Sequence, residues 1–143
     1  MNQTELAYVQ GTVQVSVTAT TEPTADVIVT LAAVVLGSAD VVLLEFFCPA
    51  WGHSTTTNTS FLPIFDAVDG GAAAAVGRVW DGRAWVASQR LGSIAGSYRT
   101  TPGAGSHVFS ARGHTAAGTF TLFADVAGAG LEVPLFLRVL QVA

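Results

Sequence analysis

Thr12-Val13-Gln14-Val15-Ser16-Val17-Thr18-Ala19-Thr20 alternates strictly between apolar and small polar side chains. A period of two places the valines and Ala19 on one face of an extended chain and the polar side chains on the other. Valine and threonine are β-branched, and such residues fit a pleated sheet well. The stretch therefore predicts a half-buried β-strand, and similar alternation recurs along the chain.

Two longer apolar runs follow, Asp26–Leu36 and Val41–Trp51, and each is short enough to be a strand. The link between them, Gly37-Ser38-Ala39-Asp40, is made of residues typical of turns. We expect a hairpin buried on both faces, with one face toward the core and the other toward a neighbouring subunit. Pro49 should end its second strand, because proline lacks the N–H that a sheet requires.

Turn residues divide the rest of the chain into further short strands. Asp69-Gly70-Gly71 predicts a turn, and Asp81-Gly82 predicts a hairpin with a two-residue turn between Val76–Trp80 and Arg83–Ala87. Additional strands are predicted at Phe61–Val68, Tyr98–Thr101, His107–Arg112, Thr119–Ala124 and Val133–Val142.

The spacing of these segments decides the fold class. About nine or ten short antiparallel strands, with turn signals about every 8–12 residues, are typical of an all-β fold. We predict a β-sandwich of the jelly-roll type. The chain has 143 residues with no repeat, linker or change in composition, so residues 1–143 are expected to form a single domain.

Charge is scarce in this sequence. Only 11% of residues are charged and 50% are hydrophobic, whereas an average soluble domain is about 25% charged. A surface this poor in charge favours an oligomer or a lattice subunit whose exterior is covered by other protein. The net charge of −4, without a lysine-rich or arginine-rich stripe, argues against a nucleic-acid partner. We expect no membrane span either, since a turn and Glu45 interrupt the apolar region.

No motif for catalysis or cofactor binding is present. The sequence has no G-x-S-x-G elbow, P-loop or dinucleotide fingerprint. His53, His107 and His114 lack a second ligand at the close spacing of zinc motifs, so we predict polar loop or strand-end residues there. The protein is therefore expected not to be an enzyme and to use no cofactor or metal.

Two charged residues lie alone inside apolar strands. Glu45 follows Val41–Leu44, and Arg138 follows Leu135–Leu137. A buried charge requires a partner. We predict that Glu45 and Arg138 pair with each other or across a subunit boundary; the alternative is that both point to solvent.

Trp80 and Trp85 flank the predicted Asp81-Gly82 turn, so they could share one hairpin tip. Exposed there, they would be candidate surface-binding aromatics that stack on sugars. The alternative is that they anchor the core or an interface, where aromatic residues are enriched.

Several segments together resemble small virion proteins of tailed bacteriophages, particularly those of actinobacterial hosts. They are Leu6–Gln10, Leu43–Ala50, Tyr98–Arg112 and Val133–Val139, with most of the likeness in Thr101–Arg112 and in the closing Pro-Leu-Phe-Leu-Arg-Val strand. The resemblance implies a β-sandwich or jelly-roll module on a virion surface, often trimeric, of the capsid decoration, head-fibre or tail-fibre-tip type. The implied architecture is also similar to the globular heads of the complement and tumour-necrosis-factor type.

These observations lead to two functional hypotheses. The first is a capsid decoration (cement) protein, a homotrimer that contacts the major capsid protein or another virion protein on the capsid surface rather than on the tail. The alternative is a receptor- or carbohydrate-binding tip of a tail fibre or head fibre. A tip should display its aromatic residues in an open groove, whereas a decoration protein should hide them.

Overall fold

The computed structural model describes residues 2–125 and 133–142, and this part of the chain is almost entirely β-structure. One 3-10 turn, Glu22–Thr24, is the only helical element among these residues. The strands are β1 (Gln3–Gly11), β2 (Val15–Val17), β3 (Asp26–Thr30), β4 (Val34–Leu36), β5 (Val41–Cys48), β6 (Ala50–His53), β7 (Thr59–Val68), β8 (Ala74–Arg83), β9 (Ile94–Thr100), β10 (Gly105–Thr115), β11 (Phe120–Phe123) and β12 (Leu135–Val142).

The strands form three antiparallel sheets. One has the order β1-β12-β5-β9, and a second has the order β3-β10-β7-β8 with β4 also paired to β10. The third and smallest is β2-β11-β6. Strands that are distant in sequence pair with each other, which is typical of a jelly roll. The fold class predicted from the sequence, an all-β sandwich of jelly-roll type, is confirmed.

The core lies between the sheets and is made of the inward-facing alternate residues of each strand. On β5, for example, Leu44 and Phe46 are buried, and Leu43 and Phe47 on the opposite face are only half-buried. The largest fully enclosed side chains include Phe46, Phe109, Phe120, Leu44, Leu62, Ile64 and Leu137. Burying one such side chain contributes about 1.5–3 kcal/mol, so these residues are a main source of the stability of the fold.

The two apolar runs do not form the predicted hairpin. The first run divides into β3 and β4, and the second divides at Pro49 into β5 and β6. β4 pairs with β10, whereas β5 lies between β12 and β9 in a different sheet. The Gly37–Asp40 turn is present, with Asp40 N–H donating to Gly37 O at 3.2 Å, but it carries the chain from one sheet to another. Burial on both faces was also wrong, since Val35 is 84% exposed.

The predicted hairpin at Asp81-Gly82 is also absent, because β8 runs straight through these residues. Asp81 lies opposite Phe61 and Gly82 opposite Ser60 in the ladder with β7. A side chain at Gly82 would overlap the ring of Trp80, so the glycine makes room for that ring instead of making a turn. The first predicted strand is shorter than expected, since only Val15–Val17 of that segment pairs.

A tight turn with positive φ at both central residues does occur nearby, at Asp69-Gly70 between β7 and β8. Both residues have positive φ, 51° and 76°. The N–H of Gly71 donates to Val68 O at 2.9 Å and closes the turn. Asp69 also ties the turn to β10, because its Oδ1 accepts the Ser106 N–H at 2.8 Å.

Gly70→Ala should cost about 1 kcal/mol of the free energy of unfolding. No atom lies within 4 Å of the added Cβ, so the cost comes only from holding an L-residue at positive φ. Gly92→Ala is the matched control, because that position is equally open and is not among the positive-φ glycines. Chemical denaturation of both variants checks this, and an equal effect of the two substitutions would contradict the turn geometry.

No helix in the described residues is long and apolar enough to cross a membrane.

Candidate interaction face

Three aromatic side chains lie on the outside of the β1-β12-β5-β9 sheet. The Phe136 ring centroid is 5.6 Å from that of Tyr8 on β1 and 5.6 Å from that of Phe47 on β5. Phe136 and Phe47 are also directly opposite each other in the ladder. We call Tyr8, Phe47 and Phe136, with the Glu45–Arg138 pair beside them, the aromatic face.

The aromatic face is open to solvent in the isolated chain. Tyr8 is 45% exposed, and Phe47 and Phe136 are half-buried. Aromatic rings contribute a large apolar area, and rings at this separation stabilise each other further. A depression of about 370 Å³ adjoins the rings and is lined by Glu45, Phe47, Ala95, Ser97 and Phe136 among others. Apolar, indented surfaces of this kind are common at protein–protein interfaces.

Glu45 and Arg138, the two lone charges of the sequence, meet on this face. They are opposite each other on β5 and β12, and Arg138 Nε and Nη2 each lie 2.6 Å from Glu45 Oε2. Arg138 Nη1 also lies 3.8 Å from Glu5 Oε2. The pair is only partly buried, because the Arg138 and Glu45 side chains are 38% and 29% exposed. In this setting the pair contributes little to stability, but a partner covering the face would desolvate it.

Trp80 and Trp85 do not share a hairpin tip. Both contact Trp51 of β6, with ring centroids 4.8 Å and 6.2 Å away respectively. Trp80 also stacks on Phe120 at 5.6 Å and is half-buried, so it anchors the packing. Trp85 is 69% exposed.

The segment that carries Trp85 is fixed along β6. Ser88 N–H donates to His53 O at 2.8 Å, and Leu91 N–H donates to Trp51 O at 2.7 Å. These two bonds hold the irregular chain after β8 against the third sheet.

His53 ends β6 and His114 lies one residue before the end of β10, as expected of strand-end residues, but all three histidines are buried. His107 is 0%, His53 2% and His114 8% exposed. His107 Nδ1 lies 2.7 Å from Asp66 Oδ2, and the two residues are 41 positions apart in sequence. His53 Nδ1 accepts the Thr55 N–H at 2.9 Å, which leaves Nε2 to donate to Thr115 Oγ1 at 2.9 Å.

A sequence signal for these buried histidines exists but is weak. His107, Phe109 and Ala111 alternate along β10 on its inward face. The same reading applied to Phe136 and Arg138, which alternate with buried leucines on β12, would have indicated the aromatic face.

The ring of His114 stacks on that of Phe61, with the two centroids 4.7 Å apart. The guanidinium carbon of Arg78 lies 4.4 Å from the centroid of the same Phe61 ring. Burial lowers the pKa of His114; Glu22 opposes this shift and Arg78 adds to it. His114 is therefore neutral in the folded protein at neutral pH.

The free energy of unfolding should fall as the pH drops below the ordinary histidine pKa of 6.5. The unfolded chain takes up a proton there that folded His114 resists, so acid favours unfolding. His114→Phe should flatten the pH dependence while keeping the stack on Phe61. Denaturation at pH 7 and pH 5 tests this, and an unchanged slope in the variant would contradict it.

Comparison with known proteins supports the fold class and identifies no family. No protein-family model matches the chain, and no curated protein matches it. The chain is similar to a solved structure of Eiger TNF from S. frugiperda, with a TM-score of 0.55, 9% sequence identity, and coverage of 96% of this chain and 91% of that one. At this identity the likeness supports the jelly-roll sandwich alone.

Proposed function

We propose that this protein is a bacteriophage capsid decoration protein that assembles as a homotrimer through the aromatic face. The observation that carries the proposal is the set of neighbouring rings, Tyr8, Phe47 and Phe136, that lie on the outside of the sandwich and not in its core. Only 11% of the residues are charged, which supports an exterior covered by other protein. The resemblance to virion proteins supports a location on the virion and a trimeric assembly.

The aromatic face is better suited to contact another copy of this chain than to contact a highly charged, unrelated partner. The face carries two carboxylates, Glu5 and Glu45, around the guanidinium of Arg138, with the neutral polar side chains of Gln10 and Ser97 beside the rings. In a cyclic trimer one edge of this surface packs on a different edge of the next copy, so the arginine of one copy can approach the surplus carboxylate of another. Burying the rings then contributes about 25 cal/mol per Å² of apolar area.

Stabilisation of a shell would be mechanical. A trimer matches the threefold and quasi-threefold positions of an icosahedral shell. Each trimer would bridge neighbouring capsid subunits, and three weak contacts acting together bind more tightly than one.

Addition of the purified protein to empty shells of the parent phage tests this function. We expect binding that saturates at a fixed ratio to the major capsid protein, in multiples of three, and shells that dissociate at a higher temperature. Shells that bind no protein, or that bind it without saturation, would contradict the proposal.

A second candidate function is a carbohydrate-binding tip, which one observation favours: the 69% exposure of Trp85. A single exposed indole ring is a platform for sugar stacking. Screening wild-type protein and Trp85→Ala on a glycan array tests it. Micromolar binding that the substitution abolishes would favour the tip over the decoration protein.

A further inference from the structure

A second cavity, of about 180 Å³, lies on the outer face of the third sheet, β2-β11-β6. Thr121 and Phe123 of β11 form one side of it, and along the strand they alternate with the buried Phe120 and Leu122. Residues 88–89, from the segment that is fixed along β6, form another side. The cavity therefore lies outside the core, and it shares no lining residue with the depression on the aromatic face.

Backbone contacts fix the walls of this cavity. Ser88 has a φ of 56°, and its N–H donates to a carbonyl oxygen of β6 at 2.8 Å. A side chain at Gly52 would overlap the carbonyl oxygen of Gln89, so the glycine allows this segment to approach the sheet closely. On the other side, Ser54 Oγ accepts the Thr119 N–H at 2.9 Å. The cavity is therefore formed before a ligand binds, which lowers the entropy cost of binding.

The polar groups along the cavity are neutral and accessible. They are the hydroxyl groups of Ser54, Ser88, Thr119 and Thr121 and the amide group of Gln89. Ser88 and Gln89 are exposed, and the two threonines are half-buried. Within residues 2–125 and 133–142, no hydrogen bond engages the side chains of these last four residues. Hydroxyl and amide groups both donate and accept, so each can bond to a hydroxyl group of a ligand.

The charges near the cavity favour a neutral ligand. His53 is the one titratable residue in the described lining, and its ring nitrogens are engaged within the protein, Nδ1 with Thr55 and Nε2 with Thr115. The guanidinium carbon of Arg90 lies 4.5 Å from the centroid of the Phe123 ring, and Arg90 does not itself line the cavity. An ionic ligand would lose its hydration without a counter-charge in the lining, and an apolar ligand would leave the hydroxyl groups unpaired.

We propose that this cavity binds one pyranose ring of a neutral carbohydrate, whose hydroxyl groups bond to the serine, threonine and glutamine side chains while its C–H groups contact Phe123. A few polar groups around an aromatic side chain are typical of small-molecule sites, and the volume suits a single ring. The inference does not rest on the decoration role, because the cavity lies outside the aromatic face. It does not rest on sugar stacking at Trp85 either, since Trp85 does not line the cavity.

Titration with the methyl glycosides of glucose, galactose and mannose, followed by amide NMR, tests the class of ligand. At least one glycoside should give saturable shifts at Gly52, Ser88 and Thr121. We expect a Kd on the order of 1 mM, at least about fivefold below that of tetrahydropyran, the same ring without hydroxyl groups. Methyl glucuronide, which adds a negative charge, should bind no tighter than methyl glucoside. No saturable shift with any glycoside, equal affinity for tetrahydropyran, or a preference for the glucuronide would overturn the proposal.

Variants locate the binding. Thr121→Phe fills the cavity and should abolish the shifts, whereas Thr30→Phe, at an exposed threonine of β3, is the matched control and should keep them. Gln89→Ala removes one polar partner at an exposed position outside the strands, so it should keep the fold and weaken binding about fivefold. Trp85→Ala should leave the affinity unchanged. Binding that survives Thr121→Phe, or that is unaffected by Gln89→Ala, would contradict this site, and binding lost in Trp85→Ala would place the sugar on that ring instead.

Discussion

Replacing Gly96 with alanine is expected to lower the free energy of unfolding by about 3 kcal/mol or more, and the melting temperature by about 10 °C. Gly96 lies on β9, where that strand passes β8 of a different sheet. A Cβ at this position would overlap the carbonyl oxygen of Val79. Since the obstacle is backbone and not the end of a flexible side chain, the two strands must separate.

The seam between β8 and β9 is what makes this substitution costly. Gly77 on β8 lies under the Tyr98 ring of β9 in a similar way, so close approach is needed at two points. Gly92→Ala is the matched control, because its Cβ meets no atom within 4 Å. Thermal unfolding at one protein concentration measures the effect, and a loss as small as that of the control would mean that the sandwich does not close along this seam.

Phe136→Glu is expected to convert the proposed trimer into monomers. The substitution replaces the central ring of the aromatic face, which contacts both Tyr8 and Phe47, with a third carboxylate beside Glu5 and Glu45. In a trimer, three copies of this added charge would be desolvated near one another, which costs several kcal/mol per interface. Phe136 is half-buried in the single chain, so the fold itself should survive.

The matched control for Phe136→Glu is Val35→Glu, which adds the same charge at an apolar position that is 84% exposed on β4. Light scattering should give a mass near 14.7 kDa for Phe136→Glu and three times that mass for Val35→Glu. Circular dichroism of both variants shows whether the fold is kept. Folded Phe136→Glu protein that remains trimeric would place the interface elsewhere.

The sequence was sufficient for the fold class because alternation and turn residues act over short distances. It was not sufficient for the pairing of strands. β5 pairs with β12 and β9, which lie about 50 to 90 residues further along the chain, and no local pattern reports such partners. The prediction of a turn at Asp81-Gly82 was wrong for a related reason. Gly82 is required because a side chain there would overlap the Trp80 ring, and that ring position is set by tertiary packing and not by the local sequence.

The same distinction applies to the two side-chain pairs. Glu45 and Arg138 could be identified as an expected pair, because a lone charge in an apolar strand demands a partner wherever it lies. Asp66 and His107 could not, since each lies in a segment that also reads as an ordinary strand end. Their meeting depends on the register of β7 against β10, in which Asp66 lies opposite Phe109 and Val68 opposite His107.

Sedimentation equilibrium of the unmodified protein over a range of concentrations tests the assembly most directly. A single species of three times 14.7 kDa at micromolar concentration is the result expected if the rings of Tyr8, Phe47 and Phe136 are covered by other copies. A stable species of 14.7 kDa that persists at high concentration would show that these rings face water, and would contradict the architectural role.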